Sequence, residues 1–429
     1  MNKIKLKNKT CSLFLISLMI TIRIFAYFSD SFSKLITIST LFFIIIAIIC
    51  NKKEYIILCI MSLLEFDSGT SPQNISIYLL SFAFIVDLIL NFKKFESKKI
   101  LFWGGWCTVF YISISLWNYM HSIDIATQYF WFDSKIYMSS FFSALIFYNL
   151  DIERFDRIVR ILSSSYIIFV FIGYLLNWSS LVVESRSYVG YSVQLTFFLA
   201  YFTLFYFKFN RLKDFIYMLS LVLLMIITDN VISQNILILI VSILISFFIS
   251  NEIKKNIFIS LFICLISAII FNNIDMESTR TFDKVTNITS LFSYTSLMDI
   301  SHSPLVRIIE FSNIIYSIFN YNPFGSGFGG YFSEYIMTFP YLNKYDYSID
   351  QINSGLFFNP HNFNYGLLKY GLMYILLFVV LFLKVSKLEF GNKKTIFIAI
   401  LLFSSLNIGF TFIPSLLLGV VIANVNKSK

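Results

Sequence analysis

The chain has 429 residues, of which 57% are hydrophobic and only 13% charged. A soluble domain carries roughly a quarter charged residues, so the composition excludes a water-soluble globular enzyme and places the chain in lipid. Its net charge of +9 would suit nucleic acid, but the basic residues flank apolar runs instead of clustering on one element. Three histidines are too few for a histidine-rich metal or haem site. Cys11, Cys50, Cys59, Cys107 and Cys264 lie in or at the ends of apolar runs with no CxxC, and read as buried apolar fillers.

A membrane-crossing helix needs about 20 apolar residues. In chain order, spans are expected near 11–28, 34–50, 54–67, 74–91, 100–118, 128–149, 157–177, 189–208, 213–229, 231–250 and 256–272. A polar interruption, 273–359, follows; spans resume at 362–383, and 395–424, too long for one, divides into two helices. The expectation is an all-α polytopic membrane protein of about 14 transmembrane helices. It has three blocks: an N-terminal bundle (1–272), a large extracytoplasmic loop with short amphipathic helices (273–359) and a C-terminal bundle (360–429). Alternate connections carry 24 basic residues on the N-terminal side and six on the other. The positive-inside rule therefore puts both termini in the cytoplasm and the loop outside. MNKIKLKNK precedes no small-residue cleavage site, so 11–28 is expected as a retained span.

A loop of this length inside a compact protein is usually functional or disordered, and this one is not low-complexity. In SHSPLVRIIEFSNIIYSIFN, Ser303 can cap a helix and Pro304 can take its first position. Arg307, Glu310, Asn313, Ser317 and Asn320 recur every three or four residues and form a polar arc. Leu305, Ile308, Ile309, Phe311, Ile315, Ile318 and Phe319 fill the other side, so a helix lying on the outer membrane edge fits. It is either a capped packing helix or a platform presenting Arg307 to an anion. NPFGSGFGG, 322–330, has GxGxxG spacing but follows a helix, so tight turns with close backbone approach explain its glycines better than a dinucleotide fingerprint.

In FFNPHNFNYG, Asn359 is placed to cap and Pro360 to open the last long span, with His361 and Asn362 in its first turn. Free N–H groups and the helix dipole attract phosphate-like anions there and favour a neutral imidazole, which can take a proton from a hydroxyl. A polar cap hydrogen-bonded to the loop is the plainer alternative. Arg186, in VVESRSYVGYS, is a second outer-face arginine, able to grip phosphate or to pair with Glu184. Charges inside apolar runs draw functional suspicion. Asp87, Asp133, Lys135, Asp229 and Lys369 are such charges, and none has a spacing that assigns a role.

PLVRIIEFSNIIYSIFNYNPFGSGFGGYF followed by NPHNFNYGLLKYGLMYILLF resembles the O-antigen polymerase and O-antigen ligase superfamily of membrane glycosyltransferases. The shared order is an arginine, an amphipathic helix, NP-x-G-x-G, then HN and GL at a helix start. Relatives commonly carry Ser-Arg where this chain reads Ser233-Gln234. The resemblance implies a Wzy-type polymerase on the outer face of the bacterial cytoplasmic (inner) membrane, acting in O-antigen, lipopolysaccharide or capsule biosynthesis. It would transfer undecaprenyl-diphosphate-linked oligosaccharide to a hydroxyl of another lipid-linked unit with inversion. No metal or cofactor is expected. The implied partners are the lipid-linked glycan, membrane lipid, a chain-length regulator and a flippase. Arg307 and His361 correspond to the catalytic pair; Arg186, Arg307 and Asn362 would bind the diphosphate, with Glu310 and Arg280 in support. A ligase moving polymer to lipid A-core is the alternative. A lipid-linked oligosaccharide flippase fits less well, since no internal repeat is visible. Tyrosines of TFPYLNKYDYSIDQINS are placed to stack on acceptor sugars.

Overall fold

The computed structural model describes residues 17–18, 20–21, 30–64, 72–91, 98–120, 126–176, 182–183, 186–187, 193–227, 233–249, 302–342, 346–389, 391–407 and 412–425. The chain is helical: α1 (Asp30–Ile49), α2 (Glu54–Leu64), α3 (Pro72–Asn91), α4 (Lys98–Tyr119), α5 (Ala126–Ile146), α6 (Ile152–Leu175), α7 (Val193–Phe209), α8 (Leu212–Ile227), α9 (Ser233–Ile249), α10 (His302–Asn320), α11 (Ile349–Ser354), α12 (Phe363–Tyr370), α13 (Leu372–Ser386), α14 (Asn392–Asn407) and α15 (Phe412–Asn424). Among the described residues, β structure is confined to the antiparallel pair β1 (Val182–Val183) and β2 (Arg186–Ser187) and a bridge between Phe332 and Phe357.

Two described helices are long and apolar enough to cross a membrane, Lys98–Trp117 and Ile152–Leu175; the bent pair α12–α13 makes a third if it counts as one span. Fourteen spans are therefore not reached. Thr40–Ile49, Tyr78–Leu90, Asn235–Ser246 and Phe412–Asn424 are further apolar helical stretches of 10–17 residues among the described residues, the first three lying within the longer helices α1, α3 and α9. The interval 256–272 and most of 11–28 lie outside the described residues. The expected split of 395–424 into two helices is found, as α14 and α15.

The chain divides into two compact units. The first comprises Met1–Val86, Leu150–Thr289 and Glu389–Phe403. Its centre is α7, apolar on every side, with Phe197, Phe198, Tyr201, Phe202 and Phe205 fully buried; such a helix belongs inside a bundle. Asp151 caps α6 by accepting from Glu153 and Arg154 backbone N–H, and Glu54 accepts the Asp151 N–H at 2.8 Å. Of the described cysteines, all free, Cys50 and Cys107 are exposed and Cys59 is half-buried. Buried filler therefore does not describe Cys107, which sits on α4, a helix that turns nearly all its apolar surface outward.

The second unit comprises Asp87–Asn149, Ser290–Leu388 and Ser404–Lys429. Here α15 lies along α5, tied by Ser143 Oγ to Leu416 O at 2.5 Å and Asn424 Nδ2 to Phe147 O at 2.8 Å. The expected span 362–383 is broken by 116° at Gly371, giving α12 and α13. Gly371 has φ +57°, and a Cβ there would stand 2.4 Å from Gly325 N and Pro323 O. The glycine-rich loop fills the break with backbone alone. Ser326 N and Gly327 N donate to Leu368 O and Lys369 O, the open carbonyls at the end of α12, and Leu372 N donates to Pro323 O. Close backbone approach thus accounts for the glycine spacing, as expected.

A buried ion pair locks this joint. Lys369 Nζ lies 2.7 Å from Asp133 Oδ2, with both side chains wholly excluded from solvent. The carboxylate also accepts Gly329 N at 2.7 Å and Tyr365 OH at 2.5 Å, while Lys369 donates to Gly330 O. Removing one partner of such a pair leaves an uncompensated charge and costs about 3–5 kcal/mol, whereas removing both charges costs much less. Lys369→Met should lower the thermal midpoint of the detergent-solubilised protein sharply. Asp133→Asn combined with Lys369→Met should recover stability relative to the single variant. A double variant melting at or below the single one would dismiss the pair as the lock.

Candidate functional site

The site is built on α10, α12 and the segments between them. The helix over His302–Asn320 begins before Ser303, which lies with Pro304 inside the first turn and so is not the cap. Much of its polar arc is buried, together with Leu305, Ile309 and Ile318 of the apolar side. Glu310 and Asn313 are fully buried and Ser317 nearly so, while Phe311 and Phe319 are exposed. The reason is hydrogen bonding. Asn313 donates to Met337 O at 2.7 Å and accepts from Ile336 N and Met337 N, satisfying a loop that has no ladder of its own.

Glu310 is the hub. Its Oε1 accepts from His361 Nδ1 at 2.6 Å and Tyr347 OH at 2.6 Å; its Oε2 accepts from His361 N and Asn364 Nδ2, each at 3.0 Å. Burial alone would raise the Glu310 pKa. The His361 imidazole and the hydrogen bonds from His361, Asn364 and Tyr347 outweigh it and hold the carboxyl below its ordinary value of 4.5. Burial, then the Glu310 charge, raises the Tyr347 hydroxyl well above its ordinary range, so it stays protonated and donating.

An ionised carboxylate only accepts, so Nδ1 carries a hydrogen, and in the neutral ring the lone pair is then on Nε2. Nε2 makes no hydrogen bond among the described residues, and the His361 side chain is 19% exposed against 0% for Glu310. A base oriented by a buried carboxylate is the arrangement that proton abstraction from a hydroxyl requires.

His361 itself is not in a helical first turn. The helix starts at Phe363, with Asn362 at its cap in a positive-φ conformation (56°) and without a capping side-chain bond. Asn359 and Pro360 therefore neither cap nor open it. Asn364 N and Tyr365 N bond to His361 O and Asn362 O as a turn. The anion drawn to this helix start is the protein's own Glu310 carboxylate. Glu310, expected only as support, is thus the central residue.

Arg307 lies one turn before Glu310 on α10. It is half-buried, its carbonyl accepts Asn364 Nδ2 at 3.0 Å, and its charge reaches Tyr347. The structure therefore brings Arg307, Glu310, His361 and Asn362 into one neighbourhood of the second unit. Arg186 is in the first unit, where its backbone pairs with Val183. Arg280 lies outside the described residues. Tyr347 is buried rather than open to a sugar, packed 4.7 Å from the Phe357 ring. Tyr341 is exposed and stacks on His302, whose Nε2 lies 2.7 Å from Asp346 Oδ2. No family model, no curated protein and no solved structure matches the chain.

Because the fold favours ionised Glu310, its contribution to stability is whole above pH 4.5 and drains away as pH falls through the lower folded value. Glu310→Gln should start less stable at neutral pH and lack that part of the acid-driven fall in thermal midpoint. Wild-type and variant midpoints running parallel through the acid range would count against this role.

Proposed function

We propose that the chain is a membrane glycosyltransferase of the polysaccharide-polymerase type. It joins undecaprenyl-diphosphate-linked repeat units on the outer face of a bacterial cytoplasmic membrane, with the loop outside and both termini inside. The observation that carries the reading is the Glu310–His361 dyad with Arg307 one helical turn away. The resemblance of the two surrounding segments to the O-antigen polymerase and ligase superfamily supplies the substrate class.

In this reading His361 Nε2 takes the proton of an acceptor hydroxyl. The oxygen forms a bond to the donor's anomeric carbon from the face opposite the diphosphate. The bond from that carbon to the phosphate oxygen breaks, and undecaprenyl diphosphate leaves with the electron pair. One inversion at the anomeric carbon results. Arg307, permanently charged, stabilises the charge that grows on the leaving oxygen, and Glu310 stabilises the imidazolium. Arg186 enters the proposal through the resemblance alone.

His361→Ala, inserted and folded like wild type, should build no polymer from lipid-linked repeat units in reconstituted vesicles; long chains from that variant would end the assignment. Arg307→Ala should slow polymerisation by about 10²–10³-fold, the usual effect of deleting one charge-stabilising group, with Arg307→Lys intermediate. In cells lacking the gene, chains limited to one unit support a polymerase, and free unattached polymer would indicate a ligase instead.

A further inference from the structure

We propose that Tyr347 is a positioning residue of the dyad: its hydroxyl shares one oxygen of Glu310 with the imidazole and thereby sets how strongly the carboxylate holds the His361 proton. The inference rests on the reading of His361 as the proton acceptor.

Two donors meet on Glu310 Oε1, the Tyr347 hydroxyl and His361 Nδ1, both at 2.6 Å. The other oxygen is occupied by His361 N and Asn364 Nδ2. The carboxylate therefore has a full set of partners, and what Tyr347 draws is withdrawn from the imidazole. The tyrosine is held to this task by packing. Its ring lies 4.7 Å from Phe357, with Phe339 and Phe332 behind, and makes an edge contact with the His361 ring at 6.0 Å.

The charged groups around it are few. From α10 come Glu310 and Arg307; from the loop, Asp346, which is tied to His302; from ahead of α12, His361. Lys369 on α12 is spent on Asp133. Among the described residues, none of the neighbouring charges other than His361 hydrogen-bonds to Glu310. Tyr347 is thus the neutral donor on the imidazole's own oxygen, and its loss changes the pull on the imidazole without changing any charge. When that donor goes, electron density concentrates on Glu310, the Nδ1–H bond strengthens, and the dyad takes up its second proton at higher pH.

Tyr347→Phe removes only the hydroxyl and keeps the ring contacts. The chain has three histidines, so histidine-labelled protein in nanodiscs gives few signals, and that of His361 is the one lost in His361→Ala. In Tyr347→Phe the pH of its titration should rise by about half to one unit, a part of the roughly one to two units that a hydrogen bond to a charged group corresponds to. The acid limb of polymerisation should move with it. Site-specific 3-fluorotyrosine at 347, a stronger donor, should move the titration the opposite way, and it serves also if the phenylalanine variant does not fold. A titration that stays put in these proteins overturns the inference while leaving the transfer reading intact. Polymer made by His361→Ala, with the titration still shifted, removes the transfer reading and leaves the positioning role standing.

Discussion

A carboxylate taken out of water must find donors for its acceptor sites, and the second unit is organised around that demand at Asp133. The side chain is wholly excluded from solvent, and it gathers an ammonium, a phenol and a backbone N–H from points of the chain far away in sequence. Those points are Lys369 and Tyr365 of α12 and Gly329 of the glycine loop. Burying the charge therefore fixes where α12 lies and where the loop turns. Such a pair gives little net stability relative to an apolar replacement, but it leaves α12 one place to sit.

That placement carries the chemistry. Tyr365 and Lys369, four residues apart, share one face of α12 and meet Asp133. Asn364, on another face, and His361, just ahead of the helix, meet Glu310. One short helix is pinned by two buried carboxylates on different sides, so the imidazole is oriented by elements that cannot shift separately. Bending the helix at Gly371 makes this possible, because a straight span would carry its first residues along a single axis with the rest.

Much of this was legible in the residues. Apolar runs announced a helical chain with membrane-length apolar helices, and the glycine spacing announced close backbone approach. The burial of Glu310, Asn313 and Ser317 on α10 was not legible, since a polar arc shows that a helix has two sides without showing which is wet. Glu310 and His361 are 51 residues apart, and Asp133 and Lys369 far more; periodicity reports nothing at such separations. A signal was present all the same. Opposite charges inside two apolar runs are each too expensive to bury alone, and that expense was a reason to pair Asp133 with Lys369 before any fold was known. The count of spans was read from apolar composition alone, and only two described helices, or three with the bent pair, are long and apolar enough to cross.

The joint between the glycine loop and the broken helix is made by main-chain groups, Ser326 and Gly327 N–H on the carbonyls of Leu368 and Lys369. Apart from Asp133 and Lys369, which hold Gly329 N and Gly330 O, what matters in the loop is whether a Cβ fits. This inverts the usual logic of alanine replacement. At Ser326 alanine would keep the main-chain bond that the joint uses, whereas at Gly325, Gly327, Gly330 or Gly371 the single added carbon would itself be the damage. Substitution in this loop is accordingly limited by shape before chemistry, with the buried charges of Asp133 and Lys369 the exception.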